Sequence, residues 1–304
     1  MEKTMLKLAL PTGRLQEPVL QLLRDAFINF EYESRKHTLP IQGYASVSEA
    51  VLMRSKQIPE LVAQGHYDIG ICGLDTVHES GRKVEILEDL SSRDSYGKRS
   101  GEKVDIVLFG AKKDGYFFWE NMPRIKVLSE YPRMTRAFFN KRGGLWKRIK
   151  VIPSAGSSEA HVPAHFRWGV CATETGESLA KNDLDVIDIV FSSSIVLVAN
   201  RKALVRKEKS EEIRGFRHQL SGAVKARESI LLKMNVPLKC QAQIIRLLPA
   251  MRKPTVSPLA GINDFSAIES VVPKSVLNML IPKLLKLGAE GIIILPLLSV
   301  IEKW

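Results

Sequence analysis

Cysteine is scarce. Cys72, Cys171 and Cys240 are the only three in 304 residues, and they lie far apart. That spacing excludes a disulfide framework and a cysteine-based metal site, and it points to a reduced, cytoplasmic setting. No apolar run is long enough to cross a bilayer, so no membrane association is expected. The most apolar stretch, Ile292 to Val300, is short and reads as a buried strand with its exit. The opening Met1-Glu-Lys-Thr-Met-Leu6 leads straight into a strand and lacks the apolar centre and cleavage site of a secretory signal. Aromatic residues are few, at 7%, and they are not interleaved with basic residues in the manner that stacks nucleobases. With no helix-turn-helix, zinc-finger or RNA-recognition pattern, no nucleic-acid partner is expected. Acidic residues are also outnumbered, 33 against 45 basic, for a net charge of +12. The excess is dispersed (Arg133, Arg136, Lys141, Arg148 and Lys150, then Lys202, Arg206, Lys207 and Lys209) and fits small polyanionic substrates or a solvated basic surface.

What is present is an α/β rhythm, and the stretch Thr173-Glu-Thr-Gly-Glu-Ser-Leu179 is its focus. Small and apolar residues precede it and a helix-compatible run follows, the order of a strand, a tight turn and a helix N-terminus. Backbone N–H groups at such a turn suit a phosphate. Gly176 admits close approach, and Thr175 and Ser178 add hydroxyls. Glu174, Glu177 and Leu179 complete the loop. The plainer alternative is that Thr175 only caps a helix.

Taken in order, Leu6 to Leu10 predicts a strand broken at Pro11-Thr-Gly-Arg-Leu15, with a helix over Glu17 to Phe30. Pro11, Thr12, Gly13 and Arg14 thus form a second candidate anion site, although Arg14 fits a surface position equally well. Ile69 to Cys72 predicts a buried strand ending at Gly73, and Asp75 fits either an N-terminal cap or a ligand contact at the strand's carboxyl end. Ser91 to Lys103, with Arg93, Lys98, Arg99 and Lys103, reads as a crossing to a second lobe. Arg136 is a candidate ligand residue or an ordinary helix-surface arginine. A turn at Ser154 to Glu159 follows the strand Ile149 to Ile152. After Arg206 the texture changes to β-α-β-β-α-β, a ferredoxin-like pattern suited to regulation or assembly.

These segments together resemble ATP phosphoribosyltransferase in its long form, along nearly the whole chain. The resemblance is carried by Leu8-Ala-Leu-Pro-Thr-Gly-Arg-Leu15, Asp68-Ile-Gly-Ile-Cys-Gly-Leu-Asp75, Tyr131-Pro-Arg-Met-Thr-Arg136 and Gly156-Ser-Ser-Glu-Ala-His-Val-Pro163, running on to Glu174–Leu179. In the tail, Leu231-Leu-Lys-Met-Asn-Val-Pro237 and Pro254-Thr-Val-Ser-Pro-Leu-Ala260 match most closely. It implies a two-lobed, periplasmic-binding-protein-like catalytic body with a ferredoxin-like C-terminal domain. The lobes would be 1–103 with 185–206 and 104–184, followed by a regulatory and assembly domain at 207–304. The implied reaction is attack of N1 of ATP on C1 of phosphoribosyl pyrophosphate, releasing pyrophosphate, with Mg²⁺ accompanying the pyrophosphate. The implied phosphoribosyl contacts are Glu174–Leu179. Pro11–Arg14, Gly73, Asp75, Arg136 and Glu159 would contact ATP and the remaining substrate atoms. Histidine would inhibit through Asn235 and Thr255 in a homo-oligomer, from dimer to hexamer.

Three positions depart from the family pattern. Arg167 and Cys171 stand where it has an acidic pair, and Thr12 where it usually has lysine. Two outcomes stay open: an active enzyme with a rewired ribose contact, or a non-catalytic paralogue that keeps fold and ligand binding.

Overall fold

The computed structural model describes residues 5–33, 35–91, 104–112, 124–141, 148–251 and 253–302. Arg93, Lys98, Arg99 and Lys103 lie outside the described residues. Two compact units form. Among the described residues, the first holds those up to Arg217 apart from Leu22–Phe27, and the second holds Leu22–Phe27 and those from His218 on.

The chain begins β1 (Leu8–Thr12), α1 (Gln16–Asp25), β2 (Asn29–Phe30), β3 (Thr38–Gln42), β4 (Glu49–Arg54), α2 (Ile58–Gln64), β5 (Ile69–Gly73), α3 (Leu74–Ser80) and β6 (Glu85–Asp89). It continues β7 (Val104–Ala111), β8 (Ile125–Ser129), α4 (Pro132–Asn140), β9 (Ile149–Pro153), β10 (Trp168–Thr173), α5 (Glu177–Lys181), β11 (Leu184–Ser193), β12 (Ile195–Ala199), α6 (Arg201–Val205) and α7 (Lys207–Glu228). Among the described residues the first unit contains two sheets. One has the order β2-β3-β4-β1-β5-β12-β6 and the other β11-β7-β10-β8-β9. In the first sheet β1 runs parallel to β4 and β5 while β12 is antiparallel to β5; in the second, β8 runs parallel to β9 and β10.

Sequence details explain the close packing. β5 is buried at every position, as a strand covered on both faces must be. A side chain at Gly70 would stand 2.5 Å from Ile58, so only glycine lets α2 lie on this strand. Gly169 does the same for the Phe109 ring, 2.2 Å from where its Cβ would be. Gly65 ends α2 in the left-handed conformation at φ 85°. Asn200 is a structural stitch: its Oδ1 accepts the N–H groups of Lys202 and Ala203, and its Nδ2 donates to Val62 O at 2.6 Å.

Four expectations need correction. β1 does not break at Pro11 but runs on through Thr12 beside β4. Its pairing with β5 ends at Ala9, so that side asks no ladder bond of the imino nitrogen. The first helix ends at Asp25 rather than Phe30, because Phe27 turns the chain at φ 59° and Asn29–Phe30 join the sheet. The lobe boundary expected at residue 185 falls later, because β11 pairs with β7 as an edge of the second sheet, while Ile195–Ala199, as its composition leads one to expect, returns to the first sheet as β12.

The fourth lies in the second unit, which contains β13 (Ser229–Pro237), α8 (Leu238–Leu247), β14 (Thr255–Leu259), β15 (Ile262–Pro273), α9 (Leu277–Lys286) and β16 (Glu290–Pro296). The antiparallel order β14-β15-β13-β16 is the ferredoxin-like arrangement. Ile230, Leu232, Met234, Val236, Ile268 and Val272 form its core with Ile244, Leu280 and Leu284 from the two helices. β16 is not the buried strand its composition suggests. It is an edge strand, with Ile293, Ile294 and Leu295 all exposed. Among the described residues, no helix is long and apolar enough to cross a membrane.

A largely buried ion pair fastens α7 within the first unit. Lys209 Nζ lies 2.7 and 2.8 Å from the two Asp68 oxygens, and Asp68 also accepts the Lys7 N–H at 3.0 Å. Removing one partner strands a buried charge. Asp68→Ala should therefore lower stability by roughly 3 kcal/mol, read as a fall in the urea midpoint followed by far-ultraviolet circular dichroism. An unchanged midpoint would show that the pair contributes nothing.

Candidate active site

The carboxyl ends of strands in α/β sheets are where ligands bind, and here they open onto a cavity of about 530 Å³ in the first unit. Thr12 to Leu15 after β1, Arg54 to Lys56 after β4, and Asp75 with Thr76 at the start of α3 form one wall; Tyr131, Ala155 and Ala172 come from the second sheet. Gly13 turns the chain at φ 77°, and a Cβ there would meet nothing within 4 Å, so its glycine serves the turn and leaves the approach open. Arg14, on the 3-10 turn that follows, reaches Glu174 across the cleft at 3.4 Å. The two anion-site candidates, separated by 160 residues of chain, thus come together. Arg54 and Lys56 were not anticipated; the signal for them was the Arg-Ser-Lys run between β4 and α2. Lys56 Nζ sits 5.2 Å from the Tyr131 ring centroid and 3.5 Å from the Glu130 carbonyl.

Asp75 does not cap α3. The N-cap is Gly73, with no side-chain capping bond. The Asp75 carboxylate is buried and accepts the Ser193 hydroxyl at 2.7 Å, while its own N–H donates to Ser193 Oγ at 2.9 Å. It also lies near the Tyr131 hydroxyl. Burial first, then the charge and hydrogen bond of Asp75, push the Tyr131 phenol well above the usual tyrosine range. Gly73 makes this possible, since a Cβ there would fall 2.2 Å from Asp75 Oδ1. Beside the cavity, Glu79 of α3 accepts the Arg133 and Met134 N–H groups at 2.9 and 3.0 Å, capping α4 across the two sheets.

The 174–179 loop has the strand–turn–helix form expected, with a different cap. Gly176, at φ 73°, is the N-cap of α5. Thr173 Oγ1 accepts its N–H at 2.9 Å, and Thr175 Oγ1 accepts the Glu177 N–H at 3.4 Å. The Ser178 and Leu179 amides have no intrahelical acceptor in a first turn. The Leu179 side chain is buried with Val107, Phe109 and Val162, so it contributes to the loop only through its backbone. Ser178 donates its hydroxyl to Glu159 at 3.3 Å.

The departures from the family pattern acquire a physical context. Cys171 is buried in that same apolar cluster. Its thiol is pushed up to about 12, mainly by burial and then by the Glu130 and Glu159 carboxylates. It is therefore neutral, and a carboxylate substituted there would be a third acid in an apolar setting. The Arg167 guanidinium lies 5.4 Å from the Trp168 ring centroid.

Not every candidate is brought to the cleft. Arg136 lies on an exposed face of α4 and does not line the cavity. Thr255 lines a separate cavity of about 540 Å³ in the second unit, with Lys253, Glu269 and Glu302, while Asn235 does not line it. Register places Thr255 opposite Glu269 and Asn235 opposite Ala267. At the spacing of neighbouring strands the two are roughly 12 Å apart on one sheet face.

The fold is thus a periplasmic-binding-protein-like α/β body joined in sequence to a ferredoxin-like module, and its cleft is lined by three cations. A model of the ATP phosphoribosyltransferase family matches residues 54–222, and one described as HisG, C-terminal domain matches residues 226–299. The chain is 33% identical to the ATP phosphoribosyltransferase of Pelotomaculum thermopropionicum over 97% of its length and 99% of that protein's. It is 34% identical to that of Desulforudis audaxviator over the same shares. Among solved structures it is similar to the ATP phosphoribosyl transferase (HisG:HisZ) complex from Thermotoga maritima, with a TM-score of 0.58 and 26% identity over 71% of this chain and 97% of that one. The chain belongs to the ATP phosphoribosyltransferase family, phosphoribosyl-transferring enzymes of histidine biosynthesis.

Only thiolates alkylate readily. Burial pushes Cys72, like Cys171, up to about 12, while Cys240 is partly exposed. Iodoacetamide between about pH 7 and 9 should modify Cys240 and spare the other two, as read by mass spectrometry. Rapid labelling of Cys171 in the folded protein would contradict its burial in the apolar cluster.

Proposed function

We propose that this chain is an active ATP phosphoribosyltransferase that joins N1 of ATP to C1 of phosphoribosyl pyrophosphate, giving phosphoribosyl-ATP and pyrophosphate. The reading is carried by the convergence of Arg14, Arg54 and Lys56 on one cavity, linked to the 174–179 loop by the Arg14–Glu174 pair. The Thr175 to Leu179 loop takes the ribose 5′-phosphate, chiefly through the Ser178 and Leu179 amides, since those of Gly176 and Glu177 bond Thr173 and Thr175. The C1–O bond to pyrophosphate breaks through an oxocarbenium-like state in which charge develops on the leaving group, so fixed cations are what the step most needs. Arg14, Arg54 and Lys56 meet that need and supply charge that Thr12 does not. With Cys171 neutral and Arg167 basic, Glu159 is the acceptor beside the loop for the ribose hydroxyls. Pro11, Thr12, Gly13, Gly73 and Asp75 shape the ATP side, with Asp75 acting largely through Tyr131. Arg136 is reserved for a rearranged complex.

Mg²⁺ enters this reading as a companion of the substrate diphosphate. Among the described residues no group of three or more His, Cys, Asp or Glu side chains is arranged to hold a metal. Beside the cavity Asp75 and Glu174 already bond Ser193 and Arg14. Protein Mg²⁺ sites of this kind lean on phosphate oxygens.

The C-terminal module, residues 207–304, is the regulatory and assembly domain in this reading. Its cavity is lined by Lys253 and by Glu269 and Glu302, which pair with Lys233 and Lys225, and these charges of both signs suit a zwitterion such as histidine. The exposed Ile293, Ile294 and Leu295 edge supports burial in a homo-oligomer. The working compartment is the cytoplasm.

The test is turnover with ATP, phosphoribosyl pyrophosphate and Mg²⁺ in the presence of pyrophosphatase, with and without histidine. The expected result is turnover that histidine suppresses, and its loss in Gly176→Asp. That variant places a negative charge at the phosphate position, while aspartate tolerates the left-handed backbone. The neutral thiol at Cys171 favours the alternative, a non-catalytic relative. Retained phosphoribosyl pyrophosphate binding without turnover would select it.

A further inference from the structure

We infer that Glu130 is a positioning residue for the transfer reaction. Through Ser158 it sets the turn Ser158–His161, and with it Glu159, against the phosphate loop. The inference rests on the assignment of that loop to the phosphoribosyl group. Glu130 directly follows β8, and one of its carboxylate oxygens accepts both donors of Ser158, the N–H at 3.2 Å and the hydroxyl at 3.0 Å. Ser158 is wholly buried. The turn it opens gets no side-chain capping bond from Ser157, which is itself held at φ 52°. Glu130 thus bonds the buried end of a turn whose entry is conformationally unfavourable. The next residue, Glu159, meets Ser178 in the first turn of α5.

The backbone of Glu130 is pinned as well. Its N–H donates to Val170 of β10 at 3.0 Å, and its carbonyl accepts Lys56. A rigid anchor is what a positioning group requires. The Cys171 thiol is within electrostatic reach of both Glu130 and Glu159. As a small neutral group it lets two carboxylates approach where an acid would repel them. The chain Glu130–Ser158–Glu159–Ser178 therefore carries the geometry of the second sheet to the loop, and it acts on the phosphoribosyl side of the cleft only.

The test compares steady-state kinetics and calorimetric phosphoribosyl pyrophosphate binding in Glu130→Ala, Glu130→Gln and Gly176→Asp, using the full-length protein. Glu130→Ala should raise KM and Kd for phosphoribosyl pyrophosphate roughly tenfold, with KM for ATP nearly unchanged. Glu130→Gln keeps an amide oxygen that accepts both Ser158 bonds and should restore binding to within about threefold. A merely structural role would reduce the active fraction and so kcat, leave both KM values alone, and overturn the inference. Unchanged phosphoribosyl pyrophosphate affinity in Glu130→Ala while Gly176→Asp abolishes it would also overturn it, with the loop assignment intact. Unchanged affinity in Gly176→Asp would bring down the loop assignment and this inference together.

Discussion

One buried carboxylate holds the cleft in its form. Asp75 projects from the first sheet's wall, is bonded twice by Ser193 from the end of β11 and faces Tyr131 from the entry to α4. A carboxylate out of water is costly unless its oxygens are fully used. Both bonds come from Ser193 of the second sheet, so Asp75 is satisfied only when the two sheets stand as they do. Gly73 is the covalent condition for this arrangement, since any side chain there would displace the carboxylate. The Glu79 cap on α4 and the Lys56 contact with Tyr131 lie around the same junction and reinforce it.

Charge is segregated across the cleft. Arg14, Arg54 and Lys56 stand at or just after the ends of strands of the first sheet, whereas Glu130, Glu159 and Glu174 follow strands of the second; the exception on the first wall, Asp75, is bonded to Ser193. The two sets meet at the Arg14–Glu174 pair. A substrate with phosphates at both ends and hydroxyls between them needs donors and acceptors in different places. Separate walls supply them, with the Arg14–Glu174 pair joining the two. The same segregation gives meaning to the neutral thiol of Cys171. With two carboxylates already within electrostatic reach of it, the second sheet has no room for another.

Much of the architecture was legible from local patterning. The strand–glycine–helix units at Gly13, Gly73 and Gly176 carry backbone requirements that a sequence displays directly, and the βαββαβ tail followed from alternation and helical spacing. The failures share a cause. Ile292 to Val300 is as apolar as a core strand yet lies at a sheet edge, because composition records the need for a partner and not whether that partner is in the same chain. Asp75 at a helix start fits a cap or a ligand contact equally well. Its bonding partner Ser193 is 118 residues away. Arg54 and Lys56 were passed over because basic residues between a strand and a helix are ordinary until a cavity forms beside them.

The sequence by itself determined the family, the order of elements and the glycine turns, since these depend on side-chain type, periodicity and backbone freedom within a few residues. The tertiary structure decided which charges face one another. It joined Arg14 to Glu174, Asp75 to Tyr131 and Glu130 to Ser158, and it left Arg136 outside the cavity. Electrostatic and hydrogen-bond energies depend on distance and burial, and neither quantity is written in the order of residues along a chain.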